Sequence, residues 1–242
     1  MSDIPTLDDI RAAAERIRGH AHRTPVLSSR SVDAIAGASL YFKCENLQRV
    51  GAFKFRGATN AVRKLSEADV ARGVATHSSG NHAAALALAA RQRGCPAWVV
   101  MPSNAPPVKR AAVAGYGATI VECEPTLAAR ESTLERVVAE TGATFIHPYN
   151  HPDIIAGQGT AALELLTDHP DLDVILAPVG GGGLMSGTAI AAAGLRDRGE
   201  VSGDLRILGA EPEGADDAAR SLQEGRILPS VDPQTVCDGL LT

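Results

Sequence analysis

A lysine between two phenylalanines, a donor-rich turn and a run of four glycines are where residue type and spacing in this chain could do chemistry. Lys54 lies in Gly51-Ala52-Phe53-Lys54-Phe55-Arg56-Gly57, and Phe53 and Phe55 are two of only four phenylalanines. Clustered aromatics imply burial, burial lowers a lysine pKa, and the neutral amine is the form that attacks carbonyls and abstracts protons. The plain alternative is a solvated surface lysine. Gly180, Gly181, Gly182 and Gly183 follow the apolar stretch Val174 to Val179 and lead into Leu184 to Ile190, a strand, a loop without side chains and a helix start. Such a loop exposes backbone N–H groups with no Cβ in the way, and the helix N-terminus adds unpaired donors and a positive dipole end. The expected guest is a phosphate. Tight strand–helix packing is the rival explanation, but it needs fewer than four glycines.

The turn Ser78-Ser79-Gly80-Asn81-His82 places hydroxyls, an amide, an imidazole and free N–H groups at another helix start. Capping of that helix by Ser or Asn is expected there, together with binding of a carboxylate or a phenolic oxygen. Spacing excludes other phosphate loops. A dinucleotide fingerprint counted from Gly180 or Gly181 meets Met185 or Ser186 where glycine is needed. A Walker loop from Gly182 reaches Gly187 but finds Thr188 in place of lysine. A buried amine, a phosphate cradle and a donor-rich turn together imply pyridoxal 5'-phosphate.

These motifs need elements to hold them. Helical and extended segments alternate, the pattern of a parallel sheet covered by helices. Thr6 caps a first helix from Leu7, and an extended piece follows at Leu40 to Lys43. Helices are expected at Phe55 to Leu65, Asn81 to Arg93 with Gly94 as its stop, Val108 to Ala114, Thr126 to Glu140 with Gly142 as its stop, and around Thr160 to Leu166. Strands are expected at Val74 to Thr76, Pro96 to Met101, Ala118 to Glu122, Ala143 to His147, before the tetraglycine, and at Leu205 to Ala210. The expected organisation is two α/β domains, 67–150 as the smaller and 1–66 with 151–242 as the larger. The site then lies in the crevice beyond the carboxyl ends of the strands.

At 242 residues with 45% hydrophobic and 21% charged positions the chain can bury a globular core. A net charge of -5 argues against nucleic acid or an anionic membrane as partner, and no apolar run reaches spanning length. Cys44, Cys95, Cys123 and Cys237 form no C-x-x-C pair, and the N-terminus is amphipathic and acid-bearing, unlike a secretion signal. A cytoplasmic protein with reduced thiols is expected.

The stretches Lys43-Cys44-Glu45-Asn46-Leu47-Gln48 and Gly51 to Gly57, the turn Ser78 to His82, Ile155-Ala156-Gly157-Gln158-Gly159-Thr160, and Pro178 to Gly183 resemble the serine/threonine dehydratase and serine racemase family in order and wording. These are pyridoxal-phosphate enzymes of the tryptophan-synthase β-like fold (fold type II), and the resemblance covers essentially the whole chain. It implies that Lys54 carries the cofactor as a Schiff base and acts as base on one face of the substrate Cα. Phe53 would pack on the cofactor ring, Asn81 would bond its hydroxyl, and Gly180 to Gly183 would hold its phosphate. Ser78, Ser79, Gly80, Asn81 and His82 would form the substrate-carboxylate loop, with Ser79 as the opposite-face acid and base.

The same resemblance implies a Mg²⁺ or Ca²⁺ site at Glu211, the Ala215 carbonyl and Asp217, oxygen donors that suit a hard cation. A solvated acidic loop is the alternative. Arg130 aligns with a family arginine able to meet a second carboxylate, the alternative being local pairing with Glu122 or Glu124. Family members continue past Asp238-Gly239, so the chain reads as lacking a C-terminal part. The implied activity is an ammonia-lyase on L-serine, L-threonine or L-threo-3-hydroxyaspartate, giving a 2-oxo acid and ammonia, with serine racemase activity alongside and a homodimeric assembly. Competing readings are a β-replacement synthase of the cysteine synthase kind, whose typical T-S-G-N-T and G-T-G-G loops differ from those here, and a non-catalytic cofactor-binding fragment.

Overall fold

Apolar β-branched runs flanked by glycine or proline become strands here, and the periodic stretches between them become helices that cover the strands. The computed structural model describes residues 4–241. Helix α1 (Leu7–Ile17) starts at a capping box in which Thr6 and Asp9 satisfy each other's backbone N–H groups. A small antiparallel ribbon, β1 (Val26–Leu27) and β2 (Phe42–Lys43), brackets α2 (Arg30–Ala36). Helices α3 (Lys54–Lys64) and α4 (Glu67–Arg72) lead into a four-stranded parallel sheet. Its strands are β3 (Val74–His77), β4 (Ala97–Pro102), β5 (Thr119–Cys123) and β6 (Thr144–Phe145), linked by α5 (Asn81–Arg93), α6 (Pro107–Gly115) and α7 (Leu127–Thr141). Then come α8 (Pro152–Asp168), β7 (Val174–Pro178), α9 (Gly183–Asp197), β8 (Arg206–Ala210) and α10 (Asp217–Glu224). Strands β7 and β8 pair in parallel.

The strand order β5-β4-β3-β6 matters for function. The chain winds outward from β3 through β4 to β5, then crosses back to lay β6 on the other side of β3. Ligands in open parallel sheets sit at such a reversal, beyond the carboxyl ends of the strands. Both faces of this sheet are covered. Ala75, Val100 and Cys123 pack with Leu134 and Val137 of α7, while Val99 and Met101 pack with Ala83 and Ala87 of α5 and Val113 of α6.

A second device fixes α3 against the later helices. A Cβ on Gly57 would stand 2.6 Å from the Gln158 side chain, and one on Gly159 would stand 2.8 Å from the Gly187 carbonyl. Glycines at these faces let the α3, α8 and α9 backbones approach more closely than any side chain permits. The Gly57 N–H donates to Gln158 Oε1 at 3.0 Å, locking that approach. The Ile155-to-Thr160 motif is thus a spacer between the helix that carries Lys54 and the helix behind the tetraglycine.

Beneath α3 lies a buried ionic cluster. Arg56 is fully buried and bridges Glu45 at 2.8 Å and Glu164 at 2.8 Å, while Lys43 holds Glu164 at 2.6 Å. Burial works against the guanidinium charge, but its hydrogen bonds with Glu45 and Glu164 more than offset this, so Arg56 stays protonated.

Candidate active site

Two turns with free backbone donors stand at carboxyl ends of parallel strands, after β3 and after β7. The N-cap residues of α5 and α9 are Gly80 and Gly182, so neither helix start has a side-chain cap. The expected capping of α5 by Ser or Asn is corrected here, because Ser78 Oγ instead accepts the Gly80 N–H within the turn, at 3.3 Å. The first-turn N–H groups of both helices have no intrahelical acceptor and remain available to an anion.

Each tetraglycine position has its own backbone reason. Gly182 is left-handed at φ 81, a Cβ on Gly181 would enter the Tyr149 ring, and one on Gly183 would stand 3.0 Å from the Tyr149 carbonyl. Gly180 faces the Gly239 carbonyl and Leu240 at 3.3 Å. The loop has little room for a Cβ at Gly181 or Gly183 on the side packed against Tyr149, and its bare backbone beside the uncapped start of α9 suits a phosphate.

Lys54 opens α3, and its Nζ donates to the Pro148 carbonyl at 3.0 Å and lies 5.4 Å from the Phe53 ring centroid. Phe55 points the other way, into the core with Val62, Leu86 and Ile154. The expectation of an amine between two rings is therefore half right: one aromatic faces it. The chain has four lysines. Lys43, Lys64 and Lys109 pair with Glu164, Asp153 and Asp238, while Lys54 alone has no carboxylate partner among the described residues. Desolvation lowers its pKa to about 8, so a sizeable neutral fraction exists near physiological pH.

The remaining residues divide by access. Asn81 is exposed, Ser79 is half-buried, and neither side chain makes a hydrogen bond among the described residues. His82 is buried, and its Nε2–H donates to the Ile146 carbonyl at 3.3 Å, so its imidazole faces the interior and only its backbone N–H can meet a ligand. Burial first, then the Lys54 charge, pushes His82 down to about 3 and keeps it neutral.

Comparison with known proteins identifies the family. The family described as "Pyridoxal-phosphate dependent enzyme" matches residues 17–242. The chain belongs to the pyridoxal-phosphate dependent enzymes. Within that family it is 52% identical, over 98% of this chain and 74% of the relative, to a beta-hydroxyaspartate dehydratase of Paracoccus denitrificans. It is 48% identical, over 99% of this chain and 72% of the relative, to an L-threo-3-hydroxyaspartate ammonia-lyase of Saccharomyces cerevisiae. The solved serine racemase of Dictyostelium discoideum superposes with a TM-score of 0.92 at 47% identity, covering 98% of this chain and 75% of that one. The chain is an enzyme of their class, with the fold type II architecture that the sequence led us to expect.

Arg130, in the first turn of α7, makes no ion pair among the described residues, and its buried Nε has no partner. Local pairing is not what the structure holds, because Glu122 is taken by Arg110. After burial, the Arg130 charge is the main influence lowering the pKa of His77, the last residue of β3.

Glu211 oxygens accept the Ala218 N–H at 3.2 Å and the Ala219 N–H at 2.7 Å, capping α10, while Asp216 pairs with Arg220. Among the described residues there is no cluster of three or more His, Cys, Asp or Glu side chains able to hold a metal ion. None of the described helices is long and apolar enough to cross a membrane.

Sequence reasoning missed the segment Ile146–Tyr149. The Ile146 carbonyl takes His82, the Pro148 carbonyl takes Lys54, and Tyr149 covers Gly181 and Gly183. Carbonyl acceptors leave no mark in a sequence; the proline and tyrosine beside His147 were the signals available.

Proposed function

We propose that this chain is an ammonia-lyase for β-hydroxy amino acids that prefers L-threo-3-hydroxyaspartate to L-serine or L-threonine, with serine racemase activity as a side reaction. The observation that carries this reading is Arg130, a half-buried cation of α7 whose buried Nε has no partner and which makes no ion pair among the described residues. Relatives at 52% and 48% identity bear hydroxyaspartate dehydratase and ammonia-lyase names, which supports the same substrate.

Bound pyridoxal phosphate supplies the sink for the electrons of the substrate Cα–H bond. In this assignment Gly180 to Gly183 and the α9 N–H groups bind its phosphate, Phe53 packs against its ring, and Asn81 bonds its hydroxyl. The backbone donors of Ser78 to His82 take the substrate α-carboxylate. The neutral Lys54 amine accepts the Cα proton, and the resulting ammonium can return that proton to the departing β-hydroxyl, which leaves as water. The free Ser79 hydroxyl serves the opposite face, where reprotonation inverts the carbon. Arg130 meets the β-carboxylate in a bidentate fork. The reading includes 67–150 as the small domain closing on 1–66 with 151–242.

Arg130→Ala should lower kcat/KM for hydroxyaspartate by one to two decades, the about 1.5–3 kcal/mol of a charged hydrogen-bonded contact, and leave L-serine elimination nearly unchanged. Equal losses on both substrates would refute the proposed role of Arg130.

A divalent cation, Mg²⁺ or Ca²⁺, at Glu211, the Ala215 carbonyl and Asp217 belongs to the same proposal. It is supported by the oxygen-only donor set and by the second lone pair that each Glu211 oxygen keeps while capping α10. Chelator should lower the melting temperature and cation should restore it, because a ligand bound only by the native state stabilises that state. An unchanged melting curve in chelator would reject the site. Homodimerisation is proposed too, supported by Leu27 and Phe42, paired across β1–β2 and both exposed. Cytoplasmic location is supported by the four free cysteines.

A further inference from the structure

One turn touches both Lys54 and the glycine loop, and one side chain holds that turn. His147 Nδ1 accepts the Asn150 N–H at 2.9 Å and the Tyr149 N–H at 3.3 Å. The residues so fixed are those that meet the chemistry: Pro148 takes the Lys54 amine on its carbonyl, and Tyr149 lies over Gly181 and Gly183. Without the two bonds from Nδ1, no side chain among the described residues would bond the Tyr149 and Asn150 N–H groups.

We infer that His147 is a positioning residue, whose Nδ1 sets the turn that orients Lys54 and braces the glycine loop for its phosphate. The inference rests on the assignment of Lys54 and the glycine loop to the cofactor. An Nδ1 that accepts two N–H groups requires the proton on Nε2 and a neutral ring. The surroundings enforce this: burial, then His77, His151 and Lys54, hold the imidazole down at about 4. The ring is fixed edge-on to Tyr149 at 4.6 Å and to His77 at 6.2 Å, with Phe145 at 5.7 Å.

The competing explanation is that His147 is only a member of this aromatic row. Two substitutions separate the explanations. Asparagine puts Oδ1 where Nδ1 stands and suits such a turn, but it removes the ring. Phenylalanine keeps the ring and removes the acceptor. Pyridoxal phosphate is titrated into the cofactor-free chain and followed by absorbance, and inorganic phosphate is titrated as a second probe of the glycine loop. Relative to wild type, His147→Phe should weaken both by about tenfold, the worth of one to two hydrogen bonds, and His147→Asn should stay within about threefold. Wild-type affinity in the phenylalanine variant, or an equal loss in both variants, would overturn the acceptor role. If the phenylalanine variant fails to fold, the asparagine variant decides alone: retained affinity supports the role and a tenfold loss overturns it. A wild-type chain that binds no pyridoxal phosphate would instead remove the site assignment on which the inference rests.

Discussion

Lys54→Ala should leave a folded protein whose turnover falls by about four orders of magnitude, the upper range for loss of a positioned base that is also the covalent anchor. Folding should survive because Lys54 stands at the first position of α3, is bonded only to the Pro148 carbonyl, and is replaced by the best helix former. Lys54→Arg should be as inactive, since it keeps a cation there but supplies no amine for the cofactor. Steady-state release of 2-oxo acid, read beside a thermal melt of each variant, is the measurement. A Lys54→Ala protein with a tenth of wild-type activity would show that the amine is not the base.

Arg56→Leu should produce the largest loss of stability in this region, about 3–5 kcal/mol, because it leaves the Glu45 and Glu164 carboxylates in a largely buried cluster without their bridging cation. For a chain of this length that is a melting-temperature drop of roughly 10 °C or more. Removing Glu45 together with Arg56 should cost less than the sum of the two single changes, since the orphaned charge goes too. Additive losses would mean that the cluster does not act as a unit. The effect belongs to the frame: Arg56 follows Lys54 by two residues and ties α3 to α8 through Glu164.

Much of the frame was legible because its punctuation is local. Thr126 and Gly142 bracket α7 as a cap and a left-handed stop, and Gly94 ends α5 in the same way. The sequence pattern predicts a strand over Ala143 to His147, but β6 contains only Thr144–Phe145, since His147 turns back to bond its own following backbone and Pro148 has no N–H. The pattern predicts a helix only from Thr160, because Gly157 and Gly159 lower helix propensity, whereas α8 begins at Pro152. Those glycines are there for the close approach of Gly57 and Gly187, which is long-range information. The start of α8 did carry a signal: Pro152 sits in its first turn and His151 Nδ1 accepts the Asp153 N–H at 3.2 Å. In the site itself the glycines, Lys54 and the Ser78 turn were readable, whereas the inward direction of His82 and the bracing by Tyr149 depend on which loops the switch in strand order brings together.

The central claim is that Lys54, alone among the four lysines, is the amine that receives pyridoxal phosphate. Reduction of the loaded protein with borohydride, followed by peptide mass mapping across pH, tests it most directly. The pyridoxyl group should appear on the peptide containing Lys54, and the rate of labelling should rise with pH, half-maximal near the lowered pKa of about 8, because the neutral amine forms as the ammonium loses its proton. A pyridoxyl group on Lys43, Lys64 or Lys109 in place of Lys54 would contradict the account.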